Sequence, residues 1–399
     1  MNELLRVNFA GVEFLNPYVV AASPLTTDAV HILEAAQAGW GGAVTKTVTA
    51  HPAYGRNLTP ALSSVRGKRD LIGLGNNEVR THLSLREWCD NEIPFIKKEA
   101  PSGFVLIGSI MEGVSGDHWA ETAFSLELAG VDILELNVSC PHGMPEKYRG
   151  SYINDDPELL KTIIECCKNK VKVPIVVKLN ALCKDLVGAI GACIDSGADG
   201  ISSTNTLLAL PSIDIYKQSP GDPVSISGNS TLMGYSGPGI RPFGLHSVAQ
   251  IALHSQLPIS GCGGIECWEN GVEYVLAGST TLQVATAAMV NGLDIIDGFL
   301  AGTTKYLNER NISDLMSIKG KSLPRLLSPE DVISTDLVAK AQVNDDRCTV
   351  CNKCIMPCHE SASSSISLIN GKISVNQDTC TGCGLCIIVC PFDALKLGE

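Results

Sequence analysis

Half of the sixteen cysteines in this 399-residue chain lie near its end, in two runs with the same spacing, C-x2-C-x2-C-x3-C. Three thiolates at these intervals bind three corners of a [4Fe–4S] cluster, and the fourth ligand comes from the other run. Zinc sites use pairs of C-x2–4-C, not four cysteines in one run. The spacing therefore predicts two clusters, one bound by Cys348, Cys351, Cys354 and Cys390, the other by Cys380, Cys383, Cys386 and Cys358.

The segment between the two cysteine runs contains an Asn370-Gly371 pair within residues 365–376. Asn-Gly is a common sequence for the two-residue turn between antiparallel strands, so we expect a hairpin there. The first cysteine run ends in Cys358-His359, whereas the second ends in Cys390-Pro391. This proline shapes the chain and is not a ligand, so its absence from the first run does not alter the predicted clusters.

Short apolar runs alternate with helical stretches through most of the remaining chain. Continuous apolar runs are typical of strands buried on both faces of a parallel sheet. Several follow a helix end with a glycine turn, such as Ala129-Gly130 and Ser196-Gly197, which is the joint of a repeated β/α unit. Eight such units favour a (β/α)8 barrel, or TIM barrel, over an open doubly wound sheet. The predicted strands cover residues 18–22, 43–47, 104–109, 132–137, 174–179, 200–203, 258–262 and 281–285.

These patterns predict three parts of the chain. They are an α/β barrel over residues 1–316, a helix and linker over 317–342, and a small α+β ferredoxin-like domain with two clusters over 343–399. A short hairpin with a turn at Ala10-Gly11 is expected before the first barrel strand.

Composition disfavours several classes of function. Hydrophobic residues make up 45% of the chain and charged residues 18%, so the chain can bury a large core. The formal net charge of −12 disfavours nucleic acid and anionic membranes as partners, because both require basic patches. We expect no signal peptide and no membrane span, since no run approaches roughly 18 apolar residues. Thiolates that hold metal need a reducing compartment, so we expect a cytoplasmic protein.

Polar residues follow nearly every predicted strand, and the carboxyl ends of barrel strands carry catalysis. Lys46 and Lys178 end two of these strands, and a buried lysine is rare without an anionic partner. Gly263-Gly264 and Ala285-Thr286 follow the last two strands, where barrels bind phosphate through backbone N–H groups. A flavin would satisfy both the lysines and the glycines, and it exchanges electrons with clusters and hydride with substrates. We therefore expect a flavin at the barrel mouth.

Seven segments of the chain resemble the flavin domain of dihydropyrimidine dehydrogenase and, more distantly, dihydroorotate dehydrogenase. The run from Asn137 through Cys140 to Met144 is the most specific, and the resemblance covers essentially the whole chain because the two-cluster module follows the barrel in the same order. The chain is expected to be similar to the catalytic subunit of the bacterial two-subunit form. The seven segments cover residues 45–47, 76–78, 135–144, 156–159, 204–206, 239–242 and 263–265.

The resemblance implies roles for individual residues. Cys140 would be the catalytic acid, which delivers a proton to C5 of a pyrimidine while the flavin delivers hydride to C6. A thiol with an ordinary pKa of about 8.5 is protonated at neutral pH, as a general acid must be. The pyrimidine edges would be held by Asn76, Asn137, Asn205 and Thr206. FMN would be held by Ser23, Lys46, Thr47, Glu78, Lys178, Gly263, Gly264, Ala285 and Thr286.

The resemblance also implies the overall reaction. The 5,6 double bond of uracil or thymine would be reduced, or formed in the reverse direction, with electrons relayed through the two clusters. The nearest match to a dinucleotide-binding G-x-G-x-x-G motif, Leu71–Gly75, lacks the third glycine. Electrons from NAD(P)H are therefore expected to arrive through an FAD-carrying partner subunit or from ferredoxin, in a homodimer or heterotetramer.

Departures from the family leave alternatives open. Residues 145–154 are bulkier and more charged than the family's loop, Asn180 stands where a Thr-Pro pair is usual, and residues 211–236 also differ. The ring could be uracil, thymine or another conjugated cyclic amide. Two further functions stay open: a dihydroorotate dehydrogenase, and an electron-transfer subunit whose barrel has lost catalysis. The remaining barrel cysteines, including Cys262, are predicted to be packing residues.

Overall fold

The computed structural model describes residues 3–50, 61–67, 70–78, 80–141, 150–210, 232–327, 329–333 and 339–398. The chain divides into two compact units, Met1–Arg325 and Leu326–Glu399. Most of the loops that were expected to cover the substrate, residues 145–149 and 211–231, lie outside the described residues.

Eight parallel strands of the first unit close into a barrel. The predicted (β/α)8 barrel is confirmed, and the open doubly wound sheet is wrong. The strands of this unit are β1 (Val7–Phe9), β2 (Val12–Phe14), β3 (Tyr18–Val20), β4 (Gly42–Val44), β5 (Leu62–Arg66), β6 (Leu71–Asn76), β7 (Val105–Ile110), β8 (Ile133–Leu136), β9 (Ile175–Leu179), β10 (Gly200–Ser203), β11 (Leu207–Ala209), β12 (Met233–Ser236), β13 (Ile259–Cys262) and β14 (Thr281–Val284). The barrel consists of β3, β4, β7, β8, β9, β10, β13 and β14.

The surrounding helices begin and end on capping residues that the sequence displays. Asp28 accepts a hydrogen bond from the backbone of His31 at the start of the first helix, and Gly39 ends that helix at φ 102°. The helices are α1 (Ala29–Ala38), α2 (Leu85–Glu87), α3 (Ile93–Glu99), α4 (Gly116–Ala129), α5 (Gly150–Asn154), α6 (Pro157–Lys168), α7 (Leu186–Asp195), α8 (Arg241–His254), α9 (Trp268–Leu276), α10 (Thr286–Asn291) and α11 (Ile295–Glu309). A π-helical turn, Trp88–Glu92, joins α2 to α3.

The N-terminal hairpin closes one end of the barrel. β1 pairs with β2 across the expected turn at Ala10 and Gly11. Phe9 and Phe14 pack edge to face and belong to one buried cluster with inward residues from the starts of the barrel strands, such as Val105. Because this cluster fills the amino ends of the strands, the polar site lies at the carboxyl ends.

Two loops of the barrel fold into a four-stranded antiparallel sheet of order β11-β12-β6-β5 that the sequence patterns did not predict. Its strands come from the connections that follow β4 and β10. Leu71–Gly75, the nearest match to a dinucleotide-binding turn, lies within strand β6. These residues form a strand where a dinucleotide-binding turn would lead into a helix.

The second unit contains short elements around its cysteines. Strands β16 and β17 form the expected hairpin, with Asn370 and Gly371 at positive φ in its turn. A ladder between β15 and β18 joins the two ends of this unit and was not predicted. The elements are α12 (Pro329–Ile333), β15 (Lys340–Val343), α13 (Ile355–Ser361), β16 (Ile366–Ile369), β17 (Lys372–Val375), α14 (Leu385–Ile388) and β18 (Leu395–Gly398). Every helix in the described parts of the chain is too short or too polar to cross a lipid bilayer.

Candidate active site

Four buried polar side chains, here called the polar floor, meet inside the barrel. Lys178 Nζ lies 3.1 Å from Glu135 Oε1 and donates a hydrogen bond of 2.8 Å to Gln283 Oε1. Ser202 Oγ and Gln283 Nε2 donate to Glu135 Oε2 at 2.8 and 2.7 Å. Burial alone would lower the pKa of Lys178, but the Glu135 carboxylate raises it above its ordinary value. Lys178 is therefore a cation at neutral pH.

The second predicted lysine, Lys46, is also buried and paired. Its Nζ lies 2.8 Å from Glu78 Oε2. The Glu78 backbone N–H donates to Asn76 Oδ1 at 2.6 Å, which fixes the turn that carries the carboxylate. The structure therefore brings together Lys46, Asn76 and Glu78 from two separate predicted segments.

A cluster of neutral side chains, here called the amide cluster, links three strand ends. Asn205 Nδ2 donates to Asn137 Oδ1 at 2.8 Å and to Ser139 Oγ at 3.1 Å. Asn137 Nδ2 donates to Thr47 Oγ1 at 3.1 Å, and the Thr206 N–H donates to Asn205 Oδ1 at 2.8 Å. These contacts orient both amides. Asn137 keeps a further donor and a further acceptor, whereas Asn205 already uses both of its N–H donors and can only accept another hydrogen bond.

Cys140 follows this cluster directly in the chain. Its side chain is buried, at 6% exposure. The preceding residue, Ser139, donates its hydroxyl to the backbone carbonyl of Lys178 and accepts from Asn205, so the chain before the thiol is held by two strand ends. His142–Met144, the rest of the specific motif, lie outside the described residues.

A pocket at the carboxyl ends of the strands joins several of these groups. The predicted residues that line it are Lys178, Asn205, Thr206, Gly263, Gly264, Ala285 and Thr286. Gly263 and Gly264 have φ values of 116° and 70°. A Cβ atom on Gly264 would lie 2.7 Å from Cβ and 2.9 Å from the backbone nitrogen of Arg241. The glycine turn is therefore required for the backbone to take this path along the pocket.

Cys262, a predicted packing residue, also lines this pocket, beside the glycine turn. Burial raises the pKa of its thiol, and Lys178 opposes that effect. Ser23, a predicted FMN-binding residue, caps the turn Pro24–Thr26, since its hydroxyl accepts from the Leu25 N–H at 3.3 Å. The pocket wall beside it is formed by Ala21 and Ala22.

Three members of the polar floor, Glu135, Ser202 and Gln283, are not among the predicted site residues. Glu135 lies within one of the segments that carry the family resemblance. The available signal for Glu135 was alternation, since it lies two residues before Asn137 at the carboxyl end of β8, and alternate residues point to the same side of the barrel.

The cysteines of the second unit show where metal clusters would be held. Cys358, Cys380, Cys383 and Cys386 line one cavity, although Cys358 belongs to the other cysteine run. Backbone N–H groups of Ala341 and Ala394 donate to the sulfurs of Cys380 and Cys390, at 3.5 and 3.3 Å.

No group of His, Cys, Asp or Glu side chains within the described ranges converges on a position for a single metal ion. A [4Fe–4S] cluster needs a wider arrangement, because its four thiolates bind four different iron atoms. The cavity and the N–H groups that face sulfur fit such a cluster.

Fold, pocket and cysteine-rich tail together define an oxidoreductase whose barrel is joined to an iron–sulfur unit. A family model described as dihydroorotate dehydrogenase matches residues 4–307, and one described as a 4Fe-4S dicluster domain matches residues 341–397. The chain therefore belongs to the dihydroorotate dehydrogenase family, whose members bind flavin, and carries a 4Fe-4S domain after the barrel.

Individual relatives show which members of this family the chain is similar to. It is 31% identical over 366 residues to the NAD-dependent dihydropyrimidine dehydrogenase subunit PreA of Escherichia coli (strain K12), covering 91% of this chain and 87% of the relative. It is 31% identical to the chloroplastic dihydropyrimidine dehydrogenase (NADP(+)) of Arabidopsis thaliana, covering 85% and 81%. It is 32% identical to the catalytic subunit of dihydroorotate dehydrogenase B (NAD(+)) of Pyrococcus abyssi, covering 80% and 99%. The resemblance to dihydropyrimidine dehydrogenase is confirmed.

Proposed function

We propose that this protein reduces the 5,6 double bond of uracil or thymine, or forms it in the reverse direction, with FMN in the barrel. The observation that carries the proposal is the amide cluster beside Cys140. Uracil presents alternating carbonyl and N–H groups, and an asparagine side chain both donates and accepts hydrogen bonds. Asn137, Asn205 and Thr206 would bind these groups, and Asn76 would complete the substrate site.

Cys140 is the proposed general acid. Reduction adds a hydride to C6 and a proton to C5, and bound FMN would supply the hydride. A buried thiol that keeps its proton at neutral pH can deliver that proton to C5, which leaves a thiolate to be protonated again before the next turnover. The hydrogen bonds of Ser139 fix the strand end from which the thiol projects.

The lining of the pocket supports FMN binding. Lys178 lines the pocket as a cation, and the glycine turn offers backbone N–H groups where barrels bind phosphate. We assign FMN binding to Ser23, Lys46, Thr47, Glu78, Lys178, Gly263, Gly264, Ala285 and Thr286. Ser23 would contribute through its backbone, since its hydroxyl caps a turn.

Gly264→Ala should destabilise the barrel and empty the FMN site. The new Cβ would meet the Arg241 backbone, and alanine is strained at φ 70°, together a cost of about 1–3 kcal/mol. Thermal unfolding and the FMN content of the purified protein would measure both effects. Gly191→Ala is the matched control, because a Cβ there meets nothing within 4 Å. Full FMN content in Gly264→Ala would argue against phosphate binding at this turn.

The tail would hold two [4Fe–4S] clusters that relay electrons to the flavin. The cavity supports the exchange of fourth ligands between the cysteine runs, since Cys358 lines it together with Cys380, Cys383 and Cys386. Cys348, Cys351, Cys354 and Cys390 would bind the other cluster.

Electrons would come from a partner protein. The Escherichia coli relative is named as a subunit of an NAD-dependent enzyme. We therefore propose an FAD-carrying, NAD(P)-binding partner subunit or a ferredoxin as the donor, in a homodimer or heterotetramer, within the reducing cytoplasm that the clusters need.

Dihydroorotate is the second candidate substrate, because several relatives are named dihydroorotate dehydrogenase B. Orotate carries a carboxylate that calls for a cation. The two lysines predicted at the mouth, Lys46 and Lys178, are each paired with a carboxylate already. The neutral amide cluster therefore favours an uncharged pyrimidine.

Anaerobic purification followed by cofactor and turnover assays tests the proposal. We expect one FMN and about eight iron atoms per chain, the content of two four-iron clusters. Oxidation of an artificial low-potential donor should depend on uracil or thymine. Turnover with dihydroorotate but with neither uracil nor dihydrouracil would support the second candidate. Clusters that reduce normally, with no response to any ring tested, would support an inactive barrel.

A further inference from the structure

Glu135 is a buried carboxylate with no part in the proposed reaction. It is 1% exposed. One of its oxygens faces the Lys178 ammonium, and the other accepts from Ser202 and Gln283. A buried charge is retained only when it is paired and hydrogen-bonded, and Glu135 meets both conditions through the polar floor.

The strand register explains how Glu135 reaches the pocket. Lys178 and Ser202 are partners across β9 and β10, and Cys262 and Gln283 are partners across β13 and β14. Lys178, Cys262 and Gln283 line the pocket. The carboxylate contacts Lys178 and Gln283 directly, so its charge acts on the pocket through the side chains that form the wall.

We propose that Glu135 is a positioning residue that holds Lys178 in place at the pocket wall, offsets its positive charge, and thereby sets the reduction potential of the bound flavin. This inference rests on flavin binding in the barrel and not on the identity of the substrate. Glu135 would act on the flavin through its charge, whereas Cys140 would act on the substrate by donating a proton.

A flavin that takes up two electrons and one proton gains a negative charge, which a nearby cation stabilises. Glu135 offsets part of that stabilisation, because its carboxylate lies 3.1 Å from the same ammonium. Removing the carboxylate's charge should therefore make the flavin easier to reduce.

Removing that charge should also make Lys178 titratable. The ionisable groups in the described chain that face Lys178 are Glu135 from β8 and Cys262 from β13. Without the carboxylate, only Cys262 still opposes the effect of burial, so the lysine pKa falls. Reduction of the flavin would then draw a proton onto Lys178 at alkaline pH, which steepens the dependence of the potential on pH.

The test compares the holoprotein with Glu135→Gln, which keeps the shape of the side chain, and Ser202→Ala, which removes one hydrogen bond but keeps the charge. The flavin midpoint potential is measured anaerobically from about pH 7.5 to about pH 10, a range that spans the ordinary thiol and lysine pKa values. We expect Glu135→Gln to show a more positive potential at the lower end and a steeper slope, and Ser202→Ala to follow the wild type. Identical potentials and slopes in all three proteins would overturn the proposal.

A second measurement covers the case in which Glu135→Gln loses its flavin. Urea unfolding of the apoproteins compares Glu135→Gln, Lys178→Met and the double variant. We expect the double variant to be more stable than Lys178→Met alone, since that single change leaves a buried carboxylate without its partner. Additive losses would overturn the proposal. Neither measurement uses a pyrimidine, so a failure of uracil reduction would not be mistaken for a failure of this inference.

Discussion

Replacing Cys140 by alanine is expected to lower the rate of uracil reduction by about 10²- to 10⁴-fold, the usual contribution of a general acid. Alanine cannot protonate C5, whereas FMN and both clusters should stay in place because no predicted cofactor ligand is changed. Serine at this position should retain some activity, since a hydroxyl is a much weaker acid but still carries a proton. Anaerobic turnover assays at equal FMN and iron content would measure both variants.

The matched control for this prediction is Cys89→Ala. Cys89 is half-buried, and its thiol contacts the backbone carbonyl of Ser125 outside the proposed site. We expect Cys89→Ala to reduce uracil at the wild-type rate. A Cys140→Ala enzyme with near-normal turnover would show that another group supplies the proton.

Paired substitutions in the tail should reveal which cysteines share a cluster. If Cys358 and Cys380 bind the same cluster, the double variant Cys358→Ser/Cys380→Ser should lose about four of about eight iron atoms, no more than either single variant. The double variant Cys348→Ser/Cys358→Ser should lose nearly all iron, because it disrupts both clusters. Iron analysis and low-temperature electron paramagnetic resonance would measure the loss.

The same variants should interrupt electron delivery while sparing the barrel. FMN should remain bound, and dihydrouracil should still reduce it, because both events take place in the barrel unit. Transfer to or from an external donor should fall to near background. Greater iron loss in Cys358→Ser/Cys380→Ser than in Cys348→Ser/Cys358→Ser would contradict the exchange of fourth ligands.

The barrel could be predicted from sequence because its signal is local and repeated. Each apolar run between glycine turns became a barrel strand, and the largest shift at a strand end was three residues, at Thr47 against Val44. The tail hairpin could be predicted for the same reason, since Asn370 and Gly371 specify their turn without help from distant residues.

The sheet of β5, β6, β11 and β12 could not be predicted in this way. β12 pairs with β6 across more than 150 residues of chain. The ring of Tyr235 in β12 packs directly against Gly73 in β6, where a side chain would not fit. The ladder of β15 with β18 likewise joins the two ends of the tail. Short strands with distant partners carry little local pattern, so sequence alone does not reveal their pairing.

The candidate site also contains residues that could be predicted from sequence and residues that could not. Motif residues such as Cys140, Asn137 and Lys178 could be placed from their positions at strand ends. Their partners could not, because Gln283 and Glu135 meet Lys178 only when the barrel closes. The turn that Ser23 caps with its hydroxyl could not be predicted either, because its position near the pocket suggested only a ligand contact.

The most direct test of the central claim is a single-turnover experiment with chemically reduced enzyme under anaerobic conditions. Adding uracil should restore the absorbance of oxidised flavin within the time of catalysis and yield dihydrouracil in an amount that matches the flavin and cluster electrons consumed. Orotate should leave the flavin reduced. Reoxidation by orotate with no response to uracil or thymine would contradict the account.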